Sequence, residues 1–584
     1  MTVGASDRGH YDAVVIGSGF GGAVAAYHLL VNTDLRVLLL ERGMPYPPGS
    51  FARTPRQMRH AFWDPGVGLH GLFEVWSFTK VRALVSSGLG GGSLIYANVL
   101  LHKPPETFAA SPSSDFVTWP VQPADLAAEY DHVEQMLRPT PLPHEYVTPP
   151  PQQGGVPKTR QFMAAAAAAG LDPHLAPLAV TFRAGANEPA TPGVPLGADN
   201  LHGRPRHTCT LVGECDIGCN VGAKNSLDYT YLTEFVRHAG DRGRIFTCCE
   251  ATGIEAAAGG GYRVSYIEHD EARQAVLRRR RPHGDAPLLL DDAGDEIRAP
   301  PLRSVTGNVV VVAAGTLGST RLLLSSRPRL PRLSAQLGRR FSTNGDLLTF
   351  ARNCHARDGT PRDLDPSFGP VITAYAEHTA DGRRLWMQDA GGPAVSEWAW
   401  QTGEMLKDLW SARALLPSLL CGRRGGRVGG LMARALGSAE ASSAMLPMLT
   451  MGQDVPGGRF RLDGDGLALD WDPRDSSKAY FASAVRLAER FAHHLGGHLG
   501  PPMYTRRAPG LTAHPLGGCP MGLDARSGVV DSRGEVFGYR GLFVADGSIM
   551  PGAVGPNPSF TIAAMAGRVG KAARDRATAL RSRT

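Results

Sequence analysis

Two groups of residues near the N-terminus have the types and spacing that bind a dinucleotide. Gly17, Gly19 and Gly22 fit the pattern G-x-G-x-x-G, and Glu41 follows roughly 20 residues later. In this pattern the first glycine permits a tight turn, the second lets backbone amides reach a pyrophosphate, and the third lets a helix approach a strand. Glu41 would accept hydrogen bonds from ribose hydroxyls and repel a 2′-phosphate, which disfavours NADP. The motif alone leaves both FAD and NAD open.

A second glycine-rich stretch, GLGGGS at 88–93, lies between two apolar segments. Four glycines in five positions leave the backbone bare, so that it can press against a flat or phosphorylated ligand. The alternative is a flexible loop, but such a loop is not normally flanked by segments that look buried. We therefore expect cofactor contacts from Gly90, Gly91, Gly92 and Ser93.

Two further candidates for chemistry lie near the C-terminus. His514, in AHPLGGC, carries an imidazole that can exchange a proton near neutral pH. A single histidine is more often structural, but its setting among glycine turns favours a functional role. Asn557 and Pro558 predict a helix start, with Asn557 as the N-cap and Pro558 at the first helical position. Such a helix N-terminus could stabilise negative charge on a cofactor.

Three short apolar runs must position these residues. They lie at 11–16, 308–313 and 541–545, and the last is followed by Asp546 and Gly547. Buried parallel strands have this character, and they bind ligands at their carboxyl ends. One sheet must gather the three runs, which predicts a discontinuous nucleotide-binding domain at 9–46, 222–330 and 525–584. Residues 47–221 and 331–524 would form the substrate domain. A nicotinamide dehydrogenase is the runner-up, but it needs no third strand ending in Asp-Gly.

These motifs, taken in order, carry a resemblance. The series GSGFGG, SSGLGGGS, GECDIGCNVGAKNSLDYTYL, VVVVAAGTLGST, AHPLGGCPMG and FVADGSIMPGAVGPNPSFTIAAMAGR resembles the GMC (glucose–methanol–choline) flavoprotein oxidoreductases, and their bacterial cholesterol oxidase branch in particular. The resemblance implies an α/β fold with a Rossmann-like FAD-binding domain. It also implies a second domain built on a mostly antiparallel sheet with helices. The likeness is weak at 139–200 and 360–450, which would shape the substrate cavity.

The resemblance also implies the activity and the site. FAD would oxidise a CH–OH group by accepting hydride, and oxygen or another acceptor would reoxidise it. His514 would be the acid/base, and Asn557 would hold the hydroxyl or the flavin edge. The residues implied as cofactor contacts are Gly17, Gly19, Gly22, Glu41, Gly90, Gly91, Gly92, Ser93, Asp546 and Gly547, with Asn98 as a looser candidate.

The substrate is less constrained than the cofactor. Cholesterol oxidases that isomerise their product use an active-site glutamate, and the nearest position here is Gln388, with Asp389 beside it and Glu397 further on. A glutamine cannot shuttle a proton as a base, so isomerisation is not expected. An apolar segment at about 385–450 favours a bulky hydrophobic, sterol-like secondary alcohol, although it could equally be domain core. Its apolar residues are Leu385, Trp386, Trp398, Trp400, Leu406, Trp410, Leu415, Leu416 and Leu420.

Other functions remain open for a protein with this fold. The enzyme could oxidise another alcohol or a sugar with an acceptor other than oxygen. It could also be a lyase or a light-driven decarboxylase, as some GMC-type proteins are. A flavin-binding protein without catalysis is a third possibility. The presence of both His514 and Asn557 favours ordinary alcohol oxidation.

The composition and the spacing of charged and cysteine residues limit the binding partners that are expected, namely nucleic acids, metals and membranes. The net charge is +7, and the dense basic run at 278–281 is followed by Pro282, which favours a solvated loop over a nucleic-acid site. Cys209, Cys215 and Cys219 are spaced C-x5-C-x3-C, which is neither a zinc nor a ferredoxin pattern, so we expect no metal. We find neither a signal-like stretch nor an apolar run long enough to span a membrane. A cytoplasmic enzyme without stable membrane insertion is expected.

Overall fold

A computed structural model gives the structure of the protein. It describes residues 9–109, 117–148, 155–269, 302–380, 382–393, 444–464, 466–500 and 510–582. Two regions discussed above lie outside the described residues. They are the arginine run at 278–281 and residues 394–443, which include Glu397 and make up most of the apolar segment.

The strands of the first half of the chain are His10–Ile16 (β1), Val37–Leu40 (β2), Trp63–Asp64 (β3), Leu69–His70 (β4), Phe73–Ser77 (β5), Val81–Ser86 (β6), Pro173–Leu175 (β7), Pro195–Gly197 (β8), Arg206–His207 (β9), Gly243–Phe246 (β10), Cys249–Ala256 (β11) and Tyr262–Glu268 (β12). The strands of the second half are Leu302–Val312 (β13), Leu347–Arg352 (β14), Ala374–Ala380 (β15), Arg383–Asp389 (β16), Leu446–Gly452 (β17), Arg459–Asp463 (β18), Gly466–Asp470 (β19), His498–Leu499 (β20), Gly510–Thr512 (β21) and Leu542–Val544 (β22). The α-helices are Phe20–Leu30 (α1), Pro55–Met58 (α2), Pro123–Leu137 (α3), His144–Val147 (α4), Pro157–Ala168 (α5), Tyr231–Ala239 (α6), Gly315–Ser326 (α7), Pro473–Ser476 (α8), Lys478–His494 (α9) and Ser559–Arg581 (α10).

The first sheet has seven strands and a parallel core. Its order is β10-β2-β1-β13-β12-β11, and β22 also pairs with β13. Strands β10, β2, β1, β13 and β22 run parallel, whereas β12 pairs antiparallel with both β13 and β11. The apolar runs of β1 and β2 are fully buried, as strands covered on both faces must be. The carboxyl ends of β1, β2, β13 and β22 therefore meet at one edge of the sheet.

Helices cover this sheet closely because small residues line their contacts. Helix α1 packs against the C-terminal helix α10, where a Cβ on Gly570 would lie 2.9 Å from the Cα of Ala25. The buried side of α10 is rich in alanine and glycine for the same reason. This packing holds the start of α1, and with it the first glycine turn, against the sheet edge.

The second sheet is antiparallel. Its six strands have the order β20-β14-β17-β16-β15-β7. Alternate residues of β16 face opposite sides: Leu385 and Met387 join the core formed with α5 and α9, whereas Trp386 and Gln388 face the other way. The mixed α/β architecture and the antiparallel second sheet agree with the sequence-based expectation.

A third, three-stranded sheet places two predicted site segments side by side. Strand β21 pairs in parallel with β6, and β6 pairs with β5. The glycine loop at 88–93 follows β6, and His514 follows β21. Because parallel strands end at the same edge, this sheet brings the glycine loop and His514 to one place.

No helix within the described ranges is both long enough and apolar enough to cross a membrane. The cytoplasmic location stays a prediction.

Candidate active site

The first glycine turn is fixed by close backbone contacts at the sheet edge. Gly17 has a φ of 98°, and a Cβ there would lie 2.3 Å from the carbonyl oxygen of Ala313, at the end of β13. A Cβ on Gly21 would lie 1.9 Å from the carbonyl oxygen of Ala545, beyond β22, and one on Gly22 would lie 1.8 Å from that of Gly17. Larger residues cannot fit, so the turn depends on glycine for its position.

Glu41 joins this turn to the second glycine loop. Its carboxylate is buried and accepts hydrogen bonds from the backbone N–H of Ser18 (2.9 Å), the hydroxyl of Ser18 (2.5 Å) and the N–H of Gly43 (2.8 Å). The hydroxyl oxygen of Ser18 in turn accepts from the N–H of Gly90 (2.9 Å). A carboxylate accepts about four hydrogen bonds, so Glu41 keeps capacity for a ligand hydroxyl.

The predicted loop residues lie against the predicted turn. A Cβ on Gly91 would lie 2.5 Å from the Cα of Gly19, whereas one on Gly92 would meet nothing within 4 Å. Ser93 donates from its hydroxyl to the carbonyl of Gly90 (2.8 Å) and accepts from the N–H of Leu227 (3.0 Å). The fold therefore brings together residues from three distant parts of the chain.

Asp546 and Gly547 complete the same edge. The Asp546 carboxylate accepts from the hydroxyl of Ser319 (2.5 Å) and from the N–H (2.9 Å) and hydroxyl (2.5 Å) of Ser548. Burial raises the pKa of Asp546, and these hydrogen bonds oppose that effect. Ser319 ties the end of β13 to the end of β22.

Several buried polar atoms around the glycine loop have no protein partner. They are Oδ1 and Nδ2 of Asn98, the hydroxyl of Tyr96 and the hydroxyl of Ser87. Asn98 has a φ of 69°, which is uncommon for a residue other than glycine. Buried polar groups are normally hydrogen-bonded, so this set fits a ligand rich in donors and acceptors, as FAD is. Asn98, only a loose candidate in the sequence, therefore lies where such a ligand would contact it.

His514 forms a pair with a carboxylate that the sequence did not single out. Its Nδ1 lies 2.8 Å from Oδ1 of Asp346, and its side chain is 17% exposed. The other oxygen of Asp346 accepts from the hydroxyl of Thr512 (2.7 Å) and the N–H of Ala513 (3.0 Å). Asp346 thus fixes both the imidazole and its backbone. With Nδ1 donating to Asp346, the other ring nitrogen, Nε2, is free to accept a proton.

Asn557 is buried, but it does not cap the helix as the sequence predicted. Helix α10 begins at Ser559, with Pro558 as the N-cap residue and no side-chain cap. The Asn557 Oδ1 instead accepts from Nε2 of Gln388 (2.7 Å), on β16 of the antiparallel sheet. The cap prediction is wrong because the amide of Gln388 takes the oxygen that a cap would use.

One short segment, residues 342–346, holds both candidate catalytic residues. Asp346 binds His514, as described above. The Asn344 side chain accepts from the N–H groups of Val554 (2.9 Å) and Gly555 (3.0 Å) and donates to the carbonyls of Gly555 (3.1 Å) and Pro556 (3.0 Å). Asn344 therefore clamps the loop that ends at Asn557. Sequence analysis missed Asn344 and Asp346 because STNGD has the composition of an ordinary turn.

Of the alternative acid–base candidates, Asp389 is otherwise engaged. Asp389 is buried and accepts from the ammonium of Lys158 (2.9 Å) and from the N–H groups of Thr373 (2.7 Å) and Ala374 (2.8 Å). This is a structural ion pair inside the second sheet. Glu397 lies outside the described residues.

The cysteine segment packs beneath the glycine loop. The buried ammonium of Lys224 donates to the carbonyls of Leu94 (3.0 Å), Tyr96 (2.9 Å) and Cys215 (2.8 Å), and burial lowers its pKa to about 8. Cys219 Sγ accepts from the N–H of Ala223 (3.2 Å). The segment thus supports the loop at 88–96.

We expect the purified protein to contain neither iron nor zinc in stoichiometric amount. The spacing of Cys209, Cys215 and Cys219 fits no common site, and the described residues contain no group of three or more metal-ligating side chains. Elemental analysis is the measurement. About one metal ion per chain that survives dialysis against a chelator would contradict this expectation.

Comparison with known proteins agrees with this geometry. Residues 466–566 match the GMC oxidoreductase C-terminal family model. A cholesterol oxidase from Mycobacterium tuberculosis (strain H37Rv) is 29% identical over 592 residues, covering 96% of this chain and 90% of the relative. A cholesterol oxidase from Acinetobacter baumannii is 27% identical over 578 residues, covering 96% and 93%. A long-chain-alcohol oxidase from Arabidopsis thaliana is 24% identical over 594 residues, covering 94% and 65%.

The solved structure of pyridoxine 4-oxidase from Mesorbium loti has the same fold. It superimposes with a TM-score of 0.57 over 96% of this chain and 98% of the other, at 16% sequence identity. Fold and site together define the class: a mixed α/β flavoprotein oxidoreductase. The chain is similar to the GMC oxidoreductases, and these comparisons indicate an FAD-dependent oxidoreductase that acts on CH–OH donors.

Proposed function

We propose that this enzyme oxidises the CH–OH group of a bulky hydrophobic, sterol-like secondary alcohol to the ketone, with His514 as acid/base. The observation that carries the proposal is the Asp346–His514 pair. It occupies Nδ1 of the imidazole and leaves Nε2 to accept the hydroxyl proton of the substrate. FAD, when bound, supplies the two-electron acceptor for the hydride.

The proposal assigns FAD to the edge of the first sheet. All seven strands of that sheet fall within 9–46, 222–330 and 525–584, which supports a discontinuous, Rossmann-like FAD-binding domain made of these segments. Residues 47–221 and 331–524 would form the substrate domain. The residues proposed to hold FAD are Gly17, Gly19, Gly22, Glu41, Gly90, Gly91, Gly92, Ser93, Asn98, Asp546 and Gly547.

Asn557 is proposed as the second polar contact for the substrate hydroxyl. Because Gln388 donates to its Oδ1, the Asn557 amide has a fixed orientation and presents its Nδ2 protons as donors. A donor there would hold the hydroxyl oxygen while His514 takes the proton. Asn344 and Asp346 hold the Asn557 amide and the His514 imidazole in fixed positions relative to each other.

The sheet face around Gln388 supports an apolar substrate. Trp386 lies on the same face, next to Gly555, where a Cβ would be 2.8 Å from the indole ring. The cross-strand neighbours of Trp386 and Gln388 on β17 are Met451 and Leu449. Large lipophiles bind between such side chains. The named relatives include cholesterol oxidases and long-chain-alcohol oxidases, which support a bulky apolar alcohol and oxygen as acceptor.

The amide at Gln388 also affects whether the double bond of the product is expected to move. Its amide donates to Asn557 and, unlike a carboxylate, has no role as a base. We therefore propose oxidation without movement of a double bond. Product analysis with an unsaturated sterol should give the ketone with its double bond in the original position, and a conjugated ketone as the first product would contradict this.

A substrate panel tests the proposed specificity. The FAD-loaded protein is assayed for kcat/KM with sterols, long-chain primary alcohols, glucose and choline at matched concentrations. The highest value should belong to bulky secondary alcohols. A clear preference for glucose or choline would refute the apolar-substrate proposal while leaving alcohol oxidation intact.

Asp346→Asn is expected to lower the rate of flavin reduction by about 10-fold or more, less than removal of the imidazole itself. The amide still fits, but it no longer fixes the imidazole with a negative charge. Rapid-reaction kinetics of flavin reduction at saturating substrate is the measurement. A rate equal to that of the parent would refute a positioning role for Asp346.

Glu41→Arg is expected to weaken FAD retention. The change removes the acceptor for Ser18 and Gly43 and any contact to ribose hydroxyls. The measurement is the ratio of flavin to protein after gel filtration, compared with an arginine placed at exposed Asp34. Retention equal to the parent in Glu41→Arg would refute the ribose role.

A further inference from the structure

An open cleft away from His514 is lined by three arginines. It has a volume of about 730 Å³, which is the size of a small-molecule site. Arg339 and Arg340 line the cleft together with Arg459, at the start of β18, whose segment is hydrogen-bonded to theirs. The remaining charged groups are Asp470 and Asp472, and the indole of Trp471 forms part of the lining.

None of the three arginines forms an ion pair with a carboxylate among the described residues. Asp470 and Asp472 line the same cleft but lie more than 4.0 Å from the three guanidinium groups, and Asp472 is 4.0 Å from the ammonium of Lys80. Arginine remains charged in proteins, so the described lining carries three positive and two negative charges, a net positive charge that favours an anion. Burial lowers the pKa of Arg340, and no acidic group opposes that effect.

The backbone of Arg340 has an unusual conformation. Its φ is 64°, in the left-handed region where glycine would fit without strain. Strained positions of this kind cluster at ligand clamps and active sites. Arg340 thus occupies a position where its backbone is disfavoured and its side chain has no protein partner.

The walls of the cleft are tied together and to the active-site segment. Phe341 and Gly458 exchange backbone hydrogen bonds (3.0 and 3.1 Å). A second hydrogen bond holds the segment that carries the first two arginines. The N–H of Gly518, three residues after Pro515, donates to the carbonyl of Arg339 (2.9 Å). Arg459 is carried on β18, and Arg339 and Arg340 are carried on a segment without regular secondary structure that is held by backbone hydrogen bonds on both sides.

We propose that this cleft binds a small molecule that carries phosphate groups. A guanidinium presents paired donors that match phosphate oxygens, and three arginines in the lining of one cleft favour a multivalent oxyanion over a single carboxylate. Asp470 and Asp472 would keep the site selective by repelling anions that the three arginines do not fully engage. The inference does not depend on the proposed function.

Isothermal titration calorimetry with inorganic pyrophosphate tests this site. The full chain is used with FAD bound, so that its own dinucleotide site is filled, and sodium chloride keeps the ionic strength constant. We expect saturable binding of one pyrophosphate per chain. The double variant Arg339→Gln/Arg340→Gln should weaken it by about 10-fold or more. Arg461→Gln, at an exposed position two residues along β18 and outside the cleft, should leave it unchanged.

Three results would overturn the proposal. These are the absence of saturable heat, equal affinity in the double variant, and equal weakening by Arg461→Gln, which would indicate general charge attraction. Retained flavin absorbance establishes that a variant is folded. If the double variant does not fold, Arg459→Gln, on β18, is measured in its place and must weaken binding.

Discussion

Replacing His514 with alanine is expected to slow reduction of the bound flavin by roughly 10²-fold or more at saturating substrate. The change removes the imidazole whose Nε2 is left to accept the hydroxyl proton, and it leaves the Asp346 carboxylate without its partner. Flavin absorbance should stay native-like, because His514 contacts neither glycine turn. Anaerobic stopped-flow mixing gives the rate.

A histidine elsewhere provides the control for this experiment. His238 lies near the end of α6, its side chain is 47% exposed, and its alanine variant should reduce flavin at the parent rate. If His514→Ala also did so, the histidine would be structural. The proton acceptor would then have to be sought outside the described contacts, since Asp389 is engaged by Lys158.

Gly91→Ala is expected to abolish stable FAD binding. A Cβ there would lie 2.5 Å from the Cα of Gly19, and a backbone atom cannot move aside as a flexible side chain can. The two glycine segments would be forced apart where the cofactor is proposed to bind. The φ of 54° adds strain for any residue with a side chain.

Gly259, in the turn between β11 and β12 and outside the proposed FAD contacts, supplies the control. A Cβ on Gly259 would meet nothing within 4 Å, so Gly259→Ala should retain FAD. The measurement is the flavin-to-protein ratio after gel filtration, with circular dichroism to verify folding. Equal FAD retention in the two variants would show that the close approach of Gly19 and Gly91 does not matter for the cofactor.

The parts of the site that could be predicted are those encoded by local spacing. The turn at Gly17, Gly19 and Gly22 and the acidic end of β2 follow from neighbouring residues, and at Gly17 and Gly22 only glycine fits the contacts. The parallel strands were recognisable from short, wholly apolar runs. In each case the sequence signal and the physical requirement lie within a few residues of each other.

The parts that could not be predicted depend on distant partners. Asp346 and His514 are 168 residues apart in the sequence, and nothing near Asp346 marks it as a histidine partner. Asn557 had the right neighbours for an N-cap, but Gln388, 169 residues away, takes its oxygen. Tertiary hydrogen bonds of this kind override local preference, as they do for helix capping in general.

Residues 342–346 suggest how the site keeps its geometry. Thr343 N–H and hydroxyl donate to the buried Asp454 (2.9 and 3.0 Å), and the Tyr480 hydroxyl donates to the carbonyl of Gly345 (2.7 Å). The segment is therefore anchored to the core of the antiparallel second sheet while it binds His514 and the loop before Asn557. Hydride transfer depends strongly on such alignment.

The central claim is oxidation of a bulky apolar secondary alcohol with FAD as the acceptor. The most direct test mixes the FAD-loaded protein with a sterol under anaerobic conditions and follows flavin absorbance and product in a single turnover. The account predicts that the flavin bleaches and that about one ketone forms per flavin. A flavin that stays oxidised with every bulky alcohol tested would contradict it.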